Sequence, residues 1–198
     1  MSFFRILFRC APRARVFFLT RVLVCLTLAF TTSAQDSVSN EFRSKANFLA
    51  NFPSFVDWPD SAFSSPEAPL TICISGEFRF GTVLAQIARS ASPHGRRIEI
   101  KWIHNDQQLR PCQIIFVSRS EAKRYTKLLL AIDRSSALTV GETPDFLDAG
   151  GMITFDFERE VLQFEVNLPA TENAKLKISS RVLSLAKRVL RKPDGDKS

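Results

Sequence analysis

The chain has 198 residues and a formal charge of +7, from 27 basic and 20 acidic side chains. The excess sits at one end: Arg5, Arg9, Arg13, Arg15 and Arg21 fall in the first 34 residues, which contain no acid. Beyond them 22 basic residues face 20 acidic ones, a near-balance that excludes an electrostatic footprint for nucleic acid.

Taken in chain order, the basic start is followed by an apolar core, Val22 to Phe30, and by Thr-Thr-Ser-Ala, whose Thr32 and Ala34 are small enough for signal peptidase. Residues 1–34 are therefore expected to be a signal peptide cleaved near Ala34. The competing reading is a retained anchor. A spanning helix needs roughly 20 apolar residues without a central charge, and Arg21 interrupts Val16 to Ala34. Lipid attachment at Cys25 is excluded by the bulky Val24 before it and the apolar run after it. The expectation is export with no stable membrane insertion after cleavage.

Residues 35–40 are polar and expected to be flexible, and 192–198 to be a disordered tail. The 164 residues left after cleavage can bury roughly 70% of their unfolded surface, enough for one core and one domain over 41–191. Cys10 and Cys25 leave with the leader. Cys73 and Cys112 remain, and in an exported domain two cysteines usually pair; two buried free thiols are the alternative. A bond closing a loop of about 40 residues would contribute up to about 4 kcal/mol. The spacing is too wide for a dithiol catalyst.

From Glu41 to Trp58, Phe42, Ala46, Leu49 and Val56 recur at helical spacing beside a second stripe of Phe48, Phe52 and Phe55. This predicts a helix buried on more than one side, kinked at Pro53 and stopped by Pro59. Leu70 to Ser75 reads as a buried strand, and Gly76 to Gly81 as a turn into a helix over Thr82 to Arg89. Arg97 to Ile103 alternates as a strand with Ile98, Ile100 and Trp102 on one face. Asp106 to Leu109 suits a helical turn, Cys112 to Val117 a second apolar strand, and Ser120 a cap for a helix through Ile132. Ser136 to Gly141 continues as a strand. Pro144 opens a short helix that Gly150-Gly151 ends. Met152 to Glu158 and Val161 to Leu168 alternate around Glu158-Arg159-Glu160, a hairpin pattern. Ile178, Val182, Leu185 and Val189 then form a stripe opposite Arg181, Lys187, Arg188 and Arg191, which predicts a terminal helix. The fold class expected is α/β: a central mixed sheet flanked by helices, with a C-terminal hairpin and a terminal helix.

No catalytic constellation, metal site or cofactor site emerges. The only histidines, His94 and His104, fall at turns and read as solvated loop residues. Gly76 to Gly81 lacks the glycine spacing and the lysine of a phosphate cradle, so its glycines read as turn residues with positive φ. Binding is favoured over catalysis, and no enzyme is expected.

These segments together resemble the YfiR family. The likeness is carried by Lys45-Ala-Asn-Phe-Leu-Ala-Asn-Phe-Pro-Ser-Phe-Val-Asp-Trp-Pro59, Thr71-Ile-Cys-Ile-Ser-Gly76 with Phe80-Gly81, and Cys112-Gln-Ile-Ile-Phe-Val. Leu138-Thr-Val-Gly-Glu142, Gly150-Gly-Met-Ile-Thr-Phe155, Phe164-Glu-Val-Asn-Leu168 and Leu176 to Ala186 complete it. The chain departs from the pattern at Pro53 and in having no second cysteine pair beside Gly150-Gly151. The resemblance implies a periplasmic protein that represses an inner-membrane diguanylate cyclase through its periplasmic region, or acts on another sensor protein. Cyclic di-GMP and biofilm formation would then be under its control. It also implies a Cys73–Cys112 disulfide, with redox modulation as an added layer, and it leaves room for a homodimer. A small-molecule sensor module is the alternative function. By their own chemistry Gly150 and Gly151 read as turn formers and Asn167 as a backbone-bonding strand end. The loop formed by Asn167, Leu168 and Pro169 is the expected partner contact, because loops on a rigid sheet carry recognition.

Overall fold

A computed structural model describes residues 32–104, 109, 112–132 and 135–192. The leader up to residue 31, the tail from 193 and most of the helical turn expected over Asp106 to Leu109 lie outside the described residues. From Asn40 onward the chain forms one compact unit.

Helix α1 (Thr32–Asn51) begins upstream of Glu41, since Gln35 to Asn40 contains neither glycine nor proline to stop it. It ends at Asn51, earlier than the expected stop at Pro59, because Pro53 breaks the helix instead of kinking it. Pro53 has no N–H to donate to the Leu49 carbonyl, so Phe52–Phe55 tightens into a 3-10 turn that leads into strand β1 (Val56–Asp57). Strand β2 (Leu70–Ser75), helix α2 (Gly81–Ala88), strand β3 (Ile98–Ile103) and strand β4 (Ile114–Val117) follow. A 3-10 stretch, Arg119–Arg124, runs into helix α3 (Tyr125–Ile132). Its cap is Ser118, whose hydroxyl accepts from the Ser120 amide, and not Ser120 itself.

Strand β5 (Leu138–Gly141) and helix α4 (Asp145–Asp148) precede the hairpin of β6 (Ile153–Glu158) and β7 (Val161–Asn167). The turn places Arg159 at φ 50° and Glu160 at φ 66°. Two consecutive left-handed residues match the right-handed twist of the strands, here without the usual Asn-Gly. Helix α5 (Leu168–Asn173), strand β8 (Lys177–Ile178), helix α6 (Ser180–Leu183) and strand β9 (Arg188–Leu190) close the unit.

The main sheet has seven strands in the order β3-β2-β4-β5-β6-β7-β9, and β1 pairs with β8 in a separate two-stranded ribbon. Neighbours from β3 to β6 are parallel, β6 and β7 antiparallel, and β7 and β9 parallel. The inner parallel strands β2, β4 and β5 are covered on both faces, which is why β2 and β4 read as apolar runs. Leu70, Ile72, Ile74, Ile114, Phe116, Leu138 and Val140 point into one cluster with α1 and α2. Cys73, Ile115 and Val117 point into the other with Tyr125, Leu128, Ile132 and Phe146. Phenylalanines dominate the first layer: Phe48 stacks on Phe52 at 4.4 Å and meets Phe155 edge-on at 4.8 Å.

The expected terminal helix is corrected. Residues 178–189 form only one helical turn between two strands, and Leu185 is exposed instead of lying on a buried stripe. Two of the four basic residues assigned to the wet face of a helix, Lys187 and Arg188, pair with acids on the hairpin strands. Arg188 lies opposite Glu165 in register and bonds it at 2.5 Å, and Lys187 pairs with Asp156. The edge position beside β7 thus outweighs a helical pattern that is only four residues deep.

Candidate functional site

Functional groups gather at the carboxyl ends of the parallel strands. Strand β2 leads through α2 to β3 on one side, and the chain then crosses to β4 on the other side of β2. The segments leaving β2 and β4 diverge, because α2 packs in one core layer and α3 in the other. Such a switch in strand order opens a crevice outside the strand ends. Here it is a cavity of about 380 Å³ lined by residues at the ends of β2 and β3 and by the Ser120 to Leu128 segment that follows β4.

Gly76 shapes its floor. Its φ is +89°, and a Cβ there would collide with Ser120 Oγ and Glu121 Cγ. The glycine therefore serves close approach as well as backbone conformation. Gly81, by contrast, is not in the left-handed region; a methyl group there would crowd Phe78 and Trp102. The same distinction separates Gly150, at φ +100°, from Gly151, whose missing side chain makes room for the buried Phe146 ring.

Beside the cavity, two segments far apart in sequence are locked by charge. Lys45, on the buried side of α1, is 3% exposed; its Nζ lies 2.7 Å from Glu142 Oε1 and 2.5 Å from Glu41 Oε1. The other oxygen of Glu142 accepts the Arg119 amide at 3.0 Å. One carboxylate thus ties α1, the end of β5 and the start of the Arg119–Arg124 turn. Burial pushes the nearby Tyr125 phenol above its ordinary pKa, a hydrogen bond from Thr143 opposes this, and the Glu142 charge adds to the rise. Sequence periodicity misses this cluster. The signal that could have found it is a lysine at 45 set between Phe42, Ala46 and Leu49 and four residues after an acid.

Cys73 in β2 and Cys112 ahead of β4 are joined by a disulfide, with Cα atoms 5.8 Å apart. Both cysteines are buried in the layer that contains α3. Cys73 immediately precedes Ile74, which lines the cavity.

The expected partner loop lies elsewhere, after β7. Asn167 is the N-cap of α5: its Oδ1 accepts the Ala170 amide at 3.2 Å, and Pro169 occupies the first turn. Asn167, Leu168 and Pro169 are half-buried. Asn167→Ala should lower stability by about 1 kcal/mol, read as a shift in the urea midpoint; no shift would show the cap to be energetically idle.

His94 is more than a solvated loop residue. Its Nε2 lies 3.2 Å from the Pro53 carbonyl and 3.0 Å from that of Val56, so the ring donates to the turn that ends α1. Among the described residues no group of three or more His, Cys, Asp or Glu is placed to hold a metal ion. No described helix is long and apolar enough to cross a membrane.

The sequence matches the YfiR/HmsC-like family over residues 42–187, about three-quarters of the chain. The chain belongs to the YfiR/HmsC-like family. All of the segments that carry the resemblance fall inside the matched span, and Lys45, Glu142, Cys73 and Cys112 lie within them. No curated protein matches the sequence. Among solved structures, a conserved domain protein from Vibrio cholerae O1 biovar El Tor is similar at a TM-score of 0.49 and 11% identity. The match covers 75% of this chain and 60% of that one. An ABC domain in complex with L-Trp from Streptococcus pneumoniae is similar at 0.48 and 11% identity, covering 61% of this chain and 55% of that one. The chain therefore spans under two-thirds of either protein's length, and likeness at this level bears on neither function nor ligand.

Proposed function

We propose that this chain is a periplasmic regulator that represses an inner-membrane diguanylate cyclase by contact with that enzyme's periplasmic region. The observation that carries this reading is the family match, which takes in nearly all of the compact unit. Two features support it. A Cys73–Cys112 bond suits an oxidising compartment. Phe55, Trp102, Leu130, Val161 and Leu185 are large apolar side chains left exposed, the material of protein contacts.

Deleting the gene should raise cellular cyclic di-GMP and biofilm formation, and supplying the exported protein should reverse both. Unchanged cyclic di-GMP in cells whose cyclase is intact would remove the proposal. The partner contact is assigned to Leu168 and Pro169, in the first turn of α5 and not in a loop, with Asn167 capping that turn. Leu168→Arg should therefore relieve repression while the purified variant keeps its fold by circular dichroism.

A further inference from the structure

We propose that the cavity at the carboxyl ends of β2 and β3, closed by the Ser120 to Leu128 segment, is a binding site for a small organic cation. The assignment goes beyond repression, since it concerns a ligand of this chain whatever the partner proves to be.

The volume of about 380 Å³ suits a small molecule, and the position at the change in strand order is where open α/β sheets take their ligands. In that position anions are the usual guests, because backbone amides point outward from the strand ends. Here those amides are spoken for. The Glu77 amide donates to Ser120 Oγ at 2.9 Å, and the Ser120 amide to Ser118 Oγ at 3.4 Å. The Arg119 amide donates to the carboxylate of Glu142, so the place an anionic ligand would take beside this turn is held by the chain's own anion.

The side chains point the other way in charge. Glu77 and Glu121 line the cavity with Arg124, and Arg124 is bonded to Glu121 at 2.8 Å. Among the described residues no ion pair involves Glu77, whose side chain is exposed. A carboxylate is thus left in excess at the cavity. His104 also lines it. Beside these groups stands Trp102, 49% exposed at the end of edge strand β3. An indole face beside an excess carboxylate attracts an ammonium group twice, through the ring quadrupole and through the opposite charge. Both side chains are exposed in part, which leaves each a surface available to a ligand.

The test uses protein purified from the periplasm after export and three probes of one shape: choline, its uncharged analogue 3,3-dimethylbutan-1-ol, and the anion 3,3-dimethylbutanoate. Calorimetric titration at low salt should show choline binding about tenfold or more tightly than the alcohol, and no binding of the acid. Glu77→Gln and Trp102→Ala should each weaken choline about tenfold while both variants keep the native circular dichroism spectrum, and Glu77→Gln, whose side chain is exposed, should also keep its melting temperature. Glu160→Gln, which removes an exposed carboxylate in the distant hairpin turn, should leave binding as it was. Equal binding of choline and the alcohol, preference for the acid, absence of choline binding at millimolar concentration, or an equal loss from Glu160→Gln would each overturn the assignment.

Discussion

Replacing Lys45 by alanine should lower the unfolding free energy by about 3–5 kcal/mol. The amine is almost fully buried, and so is the carboxylate it holds: Glu142 is only 9% exposed. Removing Lys45 leaves that charge to the Arg119 amide, and an uncompensated buried charge is what makes a broken pair costly. Glu41 contributes little to the figure, because it is 24% exposed and keeps access to water. The sign changes if both partners go. A Lys45→Met, Glu142→Leu double variant should recover much of the loss, since a buried pair replaced by apolar groups of similar size is often neutral in stability. Urea denaturation of the four proteins in the cycle measures the coupling directly. A loss below about 1 kcal/mol for Lys45→Ala would mean that solvent reaches Glu142 after all. Repression is a separate readout: if α1 must be held against the β4 and β5 ends to present the partner surface, the double variant should fold well and repress poorly.

Legibility in the sequence divides along a physical line. Segments whose environment repeats along the chain are readable. The apolar runs of β2 and β4 are continuous because helices cover both faces, and the alternation of β6 and β7 is a strand period around a charged turn. The break at Pro53 follows from one missing N–H and is equally plain. Segments decided by distant partners are not. The stripe of Ile178, Val182, Leu185 and Val189 has helical spacing, yet Arg188 and Val189 are captured by β7, an interaction outside any local window of sequence. The Lys45–Glu142 pair spans 97 positions, and each residue alone reads as an ordinary helix lysine or strand-end acid. The cavity is hidden for the same reason. Its lining comes from two strand ends and the segment after a third strand, whose order in the sheet cannot be read from composition or periodicity. Gly76 reads as a turn glycine, but its closeness to Ser120 and Glu121 is a tertiary fact.

Removing the disulfide should be the other large loss, about 2–4 kcal/mol for the Cys73→Ala, Cys112→Ala double variant. The bond closes a loop of 39 positions that contains α2 and β3, and freeing it enlarges the unfolded ensemble far more than it disturbs the native one. Native disturbance is limited because β2 and β4 are already parallel neighbours, with Cys73 in register with Ile115. The ladder should hold the strands in place without the sulfurs, so the variant is expected to fold with the same secondary structure and a lower melting temperature. Both cysteines are buried, Cys73 fully, so added reductant should act slowly on the folded protein and rapidly once urea opens it. That contrast separates a staple from a switch. A staple predicts that the double variant still represses at temperatures where it is folded. A switch predicts lost repression in a folded protein, transmitted along β2 from Cys73 to Ile74 and the cavity beside it. Measuring cyclic di-GMP in cells carrying the double variant at reduced growth temperature, where the stability loss is tolerated, decides between them: normal levels assign the bond to stability alone.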